Sequence, residues 1–131
     1  MIHCYKWTVL GPMPALKAPQ HLDFNTSGYK IYQKFLIAEI QAANTIAIGI
    51  PAYNFSAPAP FKAQMDLVAR PSVTFTYTDK GPKGLLDGKK VIIVAASSGE
   101  PFGSNFDFIR PHKTFFFKLI GINDSENQCS Y

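Results

Sequence analysis

A chain of 131 residues that is 47% apolar, with eleven Phe, six Tyr and modest charge, is long enough for one globular domain, residues 1–131, with a real core. Its net charge of +4 comes from scattered lysines without a run of like charge, which argues against a nucleic-acid surface and still suits an anionic ligand. No stretch approaches the roughly eighteen apolar residues of a membrane span. Met1 to Leu10 is too short and mixed for a signal peptide, and Cys4 and Cys129 lack metal-type spacing, so the expectation is a soluble cytoplasmic protein with no membrane partner.

Residues 1–29 carry little periodicity; Pro12, Pro14 and Pro19 interrupt any helix there, and Asn25 to Gly28 read as a loop ending in helix-cap residues. From Tyr29 to Ala43 the apolar residues Ile31, Phe35, Leu36 and Ile40 recur at helical spacing, with Asn44 as the stop. Thr45 to Ile50 is a short β-branched run and predicts a strand buried on both faces. Pro51-Ala52-Tyr53-Asn54-Phe55 follows at its carboxyl end, where open α/β sheets bind ligands. That loop offers rings, an amide and backbone N–H groups, which suits a flat heteroaromatic ligand; an ordinary connection with half-buried rings is the alternative.

Ser56 is positioned to cap a helix over Phe61–Arg70, with Phe61, Met65, Val68 and Ala69 inside and Pro71 ending it. Val73 to Tyr77 alternates with period two, and turn chemistry at Asp79–Pro82 and Asp87-Gly88 makes this region a protruding excursion. Lys90 to Ala96 is the second buried strand, parallel to the first, which brings Ala96-Ser97-Ser98-Gly99 beside Tyr53-Asn54-Phe55. Phe108 to Ile122 is apolar all round and so buried in the domain or in a subunit interface, with Gly121 as its C-cap. After Asp124 comes a polar tail.

Other chemistries lack their signatures. His3, His21 and His112 have no metal-ligand spacing, Ser97 and Ser98 no nucleophile-elbow context, and carboxylates are sparse near the crevice. No Gly-x-Gly-x-x-Gly or Walker pattern is present. The expectation is therefore no metal and no catalytic side chain, so that any reaction is carried by a cofactor.

Ala52-Tyr53-Asn54-Phe55, then Lys62, Asp66 and Val68-Ala69-Arg70, resembles the FMN-dependent NADH-azoreductases, or NADH:quinone oxidoreductases, of flavodoxin-like fold. Val73-Thr74-Phe75, Tyr77-Thr78, Gly81-Pro82-x-Gly84-Leu85, Gly88-Lys89-Lys90, Ile120-Gly121-Ile122 and Asp124 extend the resemblance over about residues 30–124. It implies an α/β, flavodoxin-like three-layer parallel sheet with helices on both faces. It also implies a homodimer that binds FMN and passes electrons from NADH to a quinone or an azo compound.

Ala52, Tyr53, Asn54 and Phe55 would line the flavin ring, and Ala96, Ser97, Ser98 and Gly99 its pyrimidine side. Tyr77 would lie on the substrate side, and that of the partner subunit is one option. Two departures accompany the resemblance. Ser97 stands where the family has an arginine. Nothing before Thr45 reads as the first strand and phosphate-gripping loop, and the polar tail replaces the last strand. A sheet lacking its first, second and last strands would leave one edge of the Thr45–Ile50 strand unpaired. The rival readings are a non-catalytic remnant or interaction module unable to retain FMN and, more distantly, an electron-carrying flavodoxin.

Overall fold

Ile46, Ile48 and Ile50 alternate with half-buried or exposed neighbours, and Val91, Ile93 and Ala95 do the same in the adjacent strand. A computed structural model of the chain describes residues 7–10, 26–97 and 103–130 and places these two triplets on one face of a sheet. In chain order the elements are β1 (Trp7–Leu10), α1 (Thr26–Ala42), β2 (Thr45–Pro51), α2 (Ala59–Val68), β3 (Phe75–Thr78), β4 (Gly81–Gly84), β5 (Lys90–Ala96), α3 (Ile109–Ile120) and β6 (Asp124–Ser130). The main sheet runs β1-β2-β5-β6, and β3-β4 form a separate hairpin.

β2, β5 and β6 are parallel, in the register Thr45↔Lys90↔Asp124 through Pro51↔Ala96↔Ser130. This is the flavodoxin-like arrangement expected, with two corrections at its edges. The polar tail is not a replacement for the last strand: Asp124–Ser130 is that strand, because a parallel ladder is made by backbone groups and tolerates polar side chains at a sheet edge. The far edge of β2 is not unpaired either. Trp7–Leu10 pairs with it antiparallel, in the position that the central strand holds in a 2-1-3-4-5 sheet.

A third correction concerns burial. Leu36 and Ile40 of α1, Phe61, Met65 and Val68 of α2, and Ile109, Phe116, Phe117 and Ile120 of α3 form one core with the inward residues of β2 and β5. Fully burying each such side chain stabilises the fold by about 1.5–3 kcal/mol. The opposite face of the sheet is not covered in this way: Ala47 and Ile92 are half-buried, Gly49 is exposed and Val94 is 45% exposed. The expected burial on both faces is thus one-sided, and a second helical layer is not found among the described residues.

Helix boundaries also shift. α1 begins at Thr26 and buries Gln33, Leu36, Ile37 and Ile40, leaving Ile31 exposed; the Gln33 amide donates to the Leu67 carbonyl, tying α1 to α2. Pro58, not Ser56, is the N-cap of α2, whose first turn accommodates Pro60 because its missing N–H would have no partner there. Thr74 ends the segment after α2 by donating to the Val68 carbonyl and accepting from the Arg70 N–H. α3 is amphipathic, not apolar all round: Phe115 is 68% exposed and Lys118 is exposed, while Gly121 is the expected left-handed C-cap at φ 101°.

Candidate functional site

The chain leaves β2 in a tight reversal. Tyr53 N–H donates to the Ser56 carbonyl and Ser56 N–H to the Tyr53 carbonyl, each at 3.0 Å. The two residues between them have positive φ, 49° at Asn54 and 65° at Phe55. This is the sign pattern of a type I′ turn, which normally carries Asn-Gly. Asn tolerates the left-handed region, but a Phe there is a steric outlier, and such strain costs about 1–3 kcal/mol and clusters where ligands bind. The pairing also keeps Ser56 in the turn, two residues before the Pro58 N-cap of α2.

Ala52 N–H donates to the Ala96 carbonyl at 2.7 Å, so the loops after β2 and β5 are stitched together. The structure therefore brings Ala52, Tyr53, Asn54 and Phe55 beside Ala96 and the half-buried Ser97. Ser98 and Gly99 lie outside the described residues. Tyr53 and Phe55 are 60% and 57% exposed, and among the described residues the backbone N–H groups of Asn54 and Phe55 have no partner. The strained turn thus brings exposed rings and backbone N–H groups without partners among the described residues to the same end of the sheet.

The connection into α3 adds residues that sequence reasoning missed. Asp107 is only 4% exposed at its side chain and accepts three bonds, from Gly103 N–H (2.8 Å), Arg110 N–H (3.0 Å) and Arg110 Nε (2.8 Å). Burial alone would raise its pKa; the Arg110 side chain, the Arg110 and Gly103 N–H groups and the Arg110 charge together hold it below the usual carboxylate value. Gly103, at φ 93°, has the Arg110 guanidinium where a Cβ would be. The signal was available: an Asp three residues before Arg110, at the start of a helix, is an N-terminal capping pattern. Phe106 sits within this braced loop, its ring 6.0 Å from that of Phe55.

Tyr77 is not gathered with these groups. It is 72% exposed on β3, edge-on to Phe75. The hairpin is rooted at the opposite end of the sheet, where Leu86 N–H donates to the Ile120 carbonyl and Gly84 abuts the Gly121 backbone. α3 leads from there straight into the start of β6. Among the described residues no group of three or more His, Cys, Asp or Glu is placed to hold a metal, and no helix is long and apolar enough to cross a membrane.

A parallel β2-β5-β6 sheet with a loop crevice at its carboxyl ends defines a flavodoxin-like protein. The sequence matches the family described as having a flavodoxin-like fold over residues 7–129, and the chain belongs to that family. Among individual proteins it is similar to an FMN-dependent NADH:quinone oxidoreductase of Erythrobacter litoralis, 55% identical over 91 residues, which are 70% of this chain and 46% of that protein. It is likewise similar to FMN-dependent NADH:quinone oxidoreductase 1 of a Jannaschia species, 51% identical over 68% of this chain and 47% of the relative.

The chain thus spans about half the length of the curated relatives it matches. In structure it is similar to the FMN-dependent NADH-azoreductase of Bacillus anthracis in complex with FMN. The TM-score is 0.70 at 24% identity, over 82% of this chain and 54% of that one, a likeness of fold.

Proposed function

We propose that the chain carries the flavin-ring half of an FMN-dependent oxidoreductase that takes electrons from NADH and delivers them to quinones or azo compounds. The observation that supports this most directly is the left-handed Asn54–Phe55 turn, whose two N–H groups have no partner among the described residues and which lies with the exposed Tyr53 and Phe55 rings beside the end of β5. FMN, when bound, would supply the two-electron redox chemistry that links the nicotinamide to the acceptor. Ala52, Tyr53, Asn54 and Phe55 would hold one side of the ring system, and Ala96, Ser97, Ser98 and Gly99 the other.

The work left to these residues is binding, orientation and charge stabilisation. Backbone donors preset by the turn would be available to carbonyl acceptors of the ring system without reorganisation. The apolar rings exclude water from the plane where the acceptor lies. Ser97 can contribute a hydroxyl and a backbone N–H but no cation, so the turn N–H groups carry a larger share of the stabilisation here.

A homodimer gives Tyr77 a role consistent with its position. Rooted at the far end of its own sheet, it would serve the crevice of the partner subunit. A cytoplasmic location would supply the NADH that this reading requires.

The test is to load the purified chain with FMN, desalt it, and record the visible spectrum before and after anaerobic NADH and then a quinone. Retained flavin absorbance, bleached by NADH and restored by quinone, is expected. A colourless protein after desalting sinks the proposal and leaves the remnant reading.

A further inference from the structure

Phe106 and Phe55 come from different loops at the same end of the sheet, and neither belongs to the core: they are 54% and 57% exposed. Their ring centroids nevertheless lie 6.0 Å apart with the planes tilted by 44°, within the range of favourable aromatic pairs. An exposed Phe alone requires no explanation, but two paired rings beside N–H groups that lack partners among the described residues form a small apolar surface.

The loop that carries Phe106 is braced from several directions. Phe106 N–H donates to Ser104 Oγ at 3.2 Å, its carbonyl accepts from Phe108 N–H, and Asp107 N–H donates to the Ser104 carbonyl. The buried Asp107 carboxylate then joins Gly103 to Arg110 across the loop. A loop fixed this firmly is preorganised for contact, because little backbone freedom remains to be lost when something packs on the ring it carries.

We propose that Phe106 is a specificity-determining residue. With Phe55 it forms an apolar wall beside the crevice that favours flat, multi-ring electron acceptors over single-ring ones, and Asp107 is the positioning residue that holds it there. This rests on the flavin reading of the crevice. A single-ring acceptor makes its contacts at the flavin and has no surface left for Phe106. The outer rings of a fused system extend over the wall and bury apolar area against it.

The experiment compares the FMN-loaded protein with Phe106→Ala, Phe106→Leu and Asp107→Asn. Three quantities are read: the Kd for FMN by fluorescence titration, the Kd for anthraquinone-2-sulfonate on the oxidised protein by difference spectra, and KM for that compound and for benzoquinone. F106A is expected to weaken anthraquinone-2-sulfonate roughly tenfold in both Kd and KM, while the FMN Kd and the benzoquinone KM change less than about twofold. F106L, which keeps fold and apolar bulk, should lie between, and D107N should follow F106A in direction with a smaller shift. Equal effects on both acceptors, or none, in a variant that still binds FMN normally would overturn this inference alone. If the unaltered protein binds no FMN, the flavin reading fails and this inference with it.

Discussion

At the amino ends of β2 and β5 the backbone is closed on itself. Lys90 N–H donates to the Asn44 carbonyl, Leu86 N–H to Ile120, and the Lys89 ammonium to the carbonyls of Gln41 and Ala43 at the end of α1. At the carboxyl ends of the same strands, a Phe is held left-handed, two turn N–H groups lack partners among the described residues, and Tyr53, Phe55 and Phe106 face outward. The same two strands thus end in a region closed by hydrogen bonds and in one that holds a strained turn and exposed rings at the surface. Backbone strain persists only where the surrounding structure compels it, and here the compulsion comes from the Tyr53–Ser56 pairing and the Ala52–Ala96 bond.

The contrast is broken most severely at Gly84. A Cβ there would fall on the Gly121 backbone, which cannot move without shifting the end of α3 and the entry to β6. Gly84→Ala is expected to cost at least about 3 kcal/mol, at the upper end of overpacking effects. Urea unfolding would show it as a lower midpoint, and a midpoint within about 0.5 kcal/mol of the parent would mean the hairpin is not locked as described.

Asp107 is the exception at the carboxyl end, a hydrogen-bonded brace among exposed rings. Asp107→Asn should cost about 2 kcal/mol, since it removes a charge-assisted acceptor from three donors. The pH dependence has a definite sign. The native pKa lies below the unfolded value, so the advantage of the wild type over D107N is complete above the ordinary carboxylate range and is lost as pH falls through the lowered native value. Urea midpoints of both proteins at a series of acidic pH values measure this; a gap that does not shrink with acidification would mean the charge of Asp107 is not what braces the loop.

Lys89 sharpens the other side of the comparison. It caps the end of α1 with two hydrogen bonds, while burial lowers its pKa, so the net worth of the contact is small. Lys89→Met should cost about 1 kcal/mol and speed amide exchange in the last turn of α1. Because the native pKa is the lower one, wild-type stability rises with pH between the native and unfolded values, and its margin over K89M should widen in alkaline solution. A margin that narrows there would contradict the burial of the ammonium.

The sequence made the parallel pair legible because Thr45–Ile50 and Lys90–Ala96 each carry a β-branched run followed at once by loop chemistry, and both lie in the strands found. It misled where backbone bonding outweighs composition. Asp-Ser-Glu-Asn-Gln-Cys-Ser has no strand propensity, yet forms β6 because β5 offers an edge of donors and acceptors. One-sided burial was hidden because Gly49 and Ala47 read as apolar whether covered or open. In the crevice, Tyr53-Asn54-Phe55 stood out by residue type and Asp107 could be read from its spacing to Arg110, whereas the left-handed turn and the approach of Phe106 to Phe55 depend on φ angles and contacts that no local pattern encodes.

The smallest stability effect is expected at the residue where the two demands meet. Phe55→Gly relieves a left-handed Phe, a gain of about 1 kcal/mol, and forfeits the pair with Phe106, a loss of about the same size. The unfolding midpoint should therefore stay within about 1 kcal/mol of the parent. FMN affinity, measured on the same preparation by fluorescence titration, should fall by about an order of magnitude, because a ring that would pack on the ligand is gone and the turn is free to relax. If stability fell instead and flavin binding were unchanged, Phe55 would be a structural ring, and its left-handed backbone would owe nothing to binding.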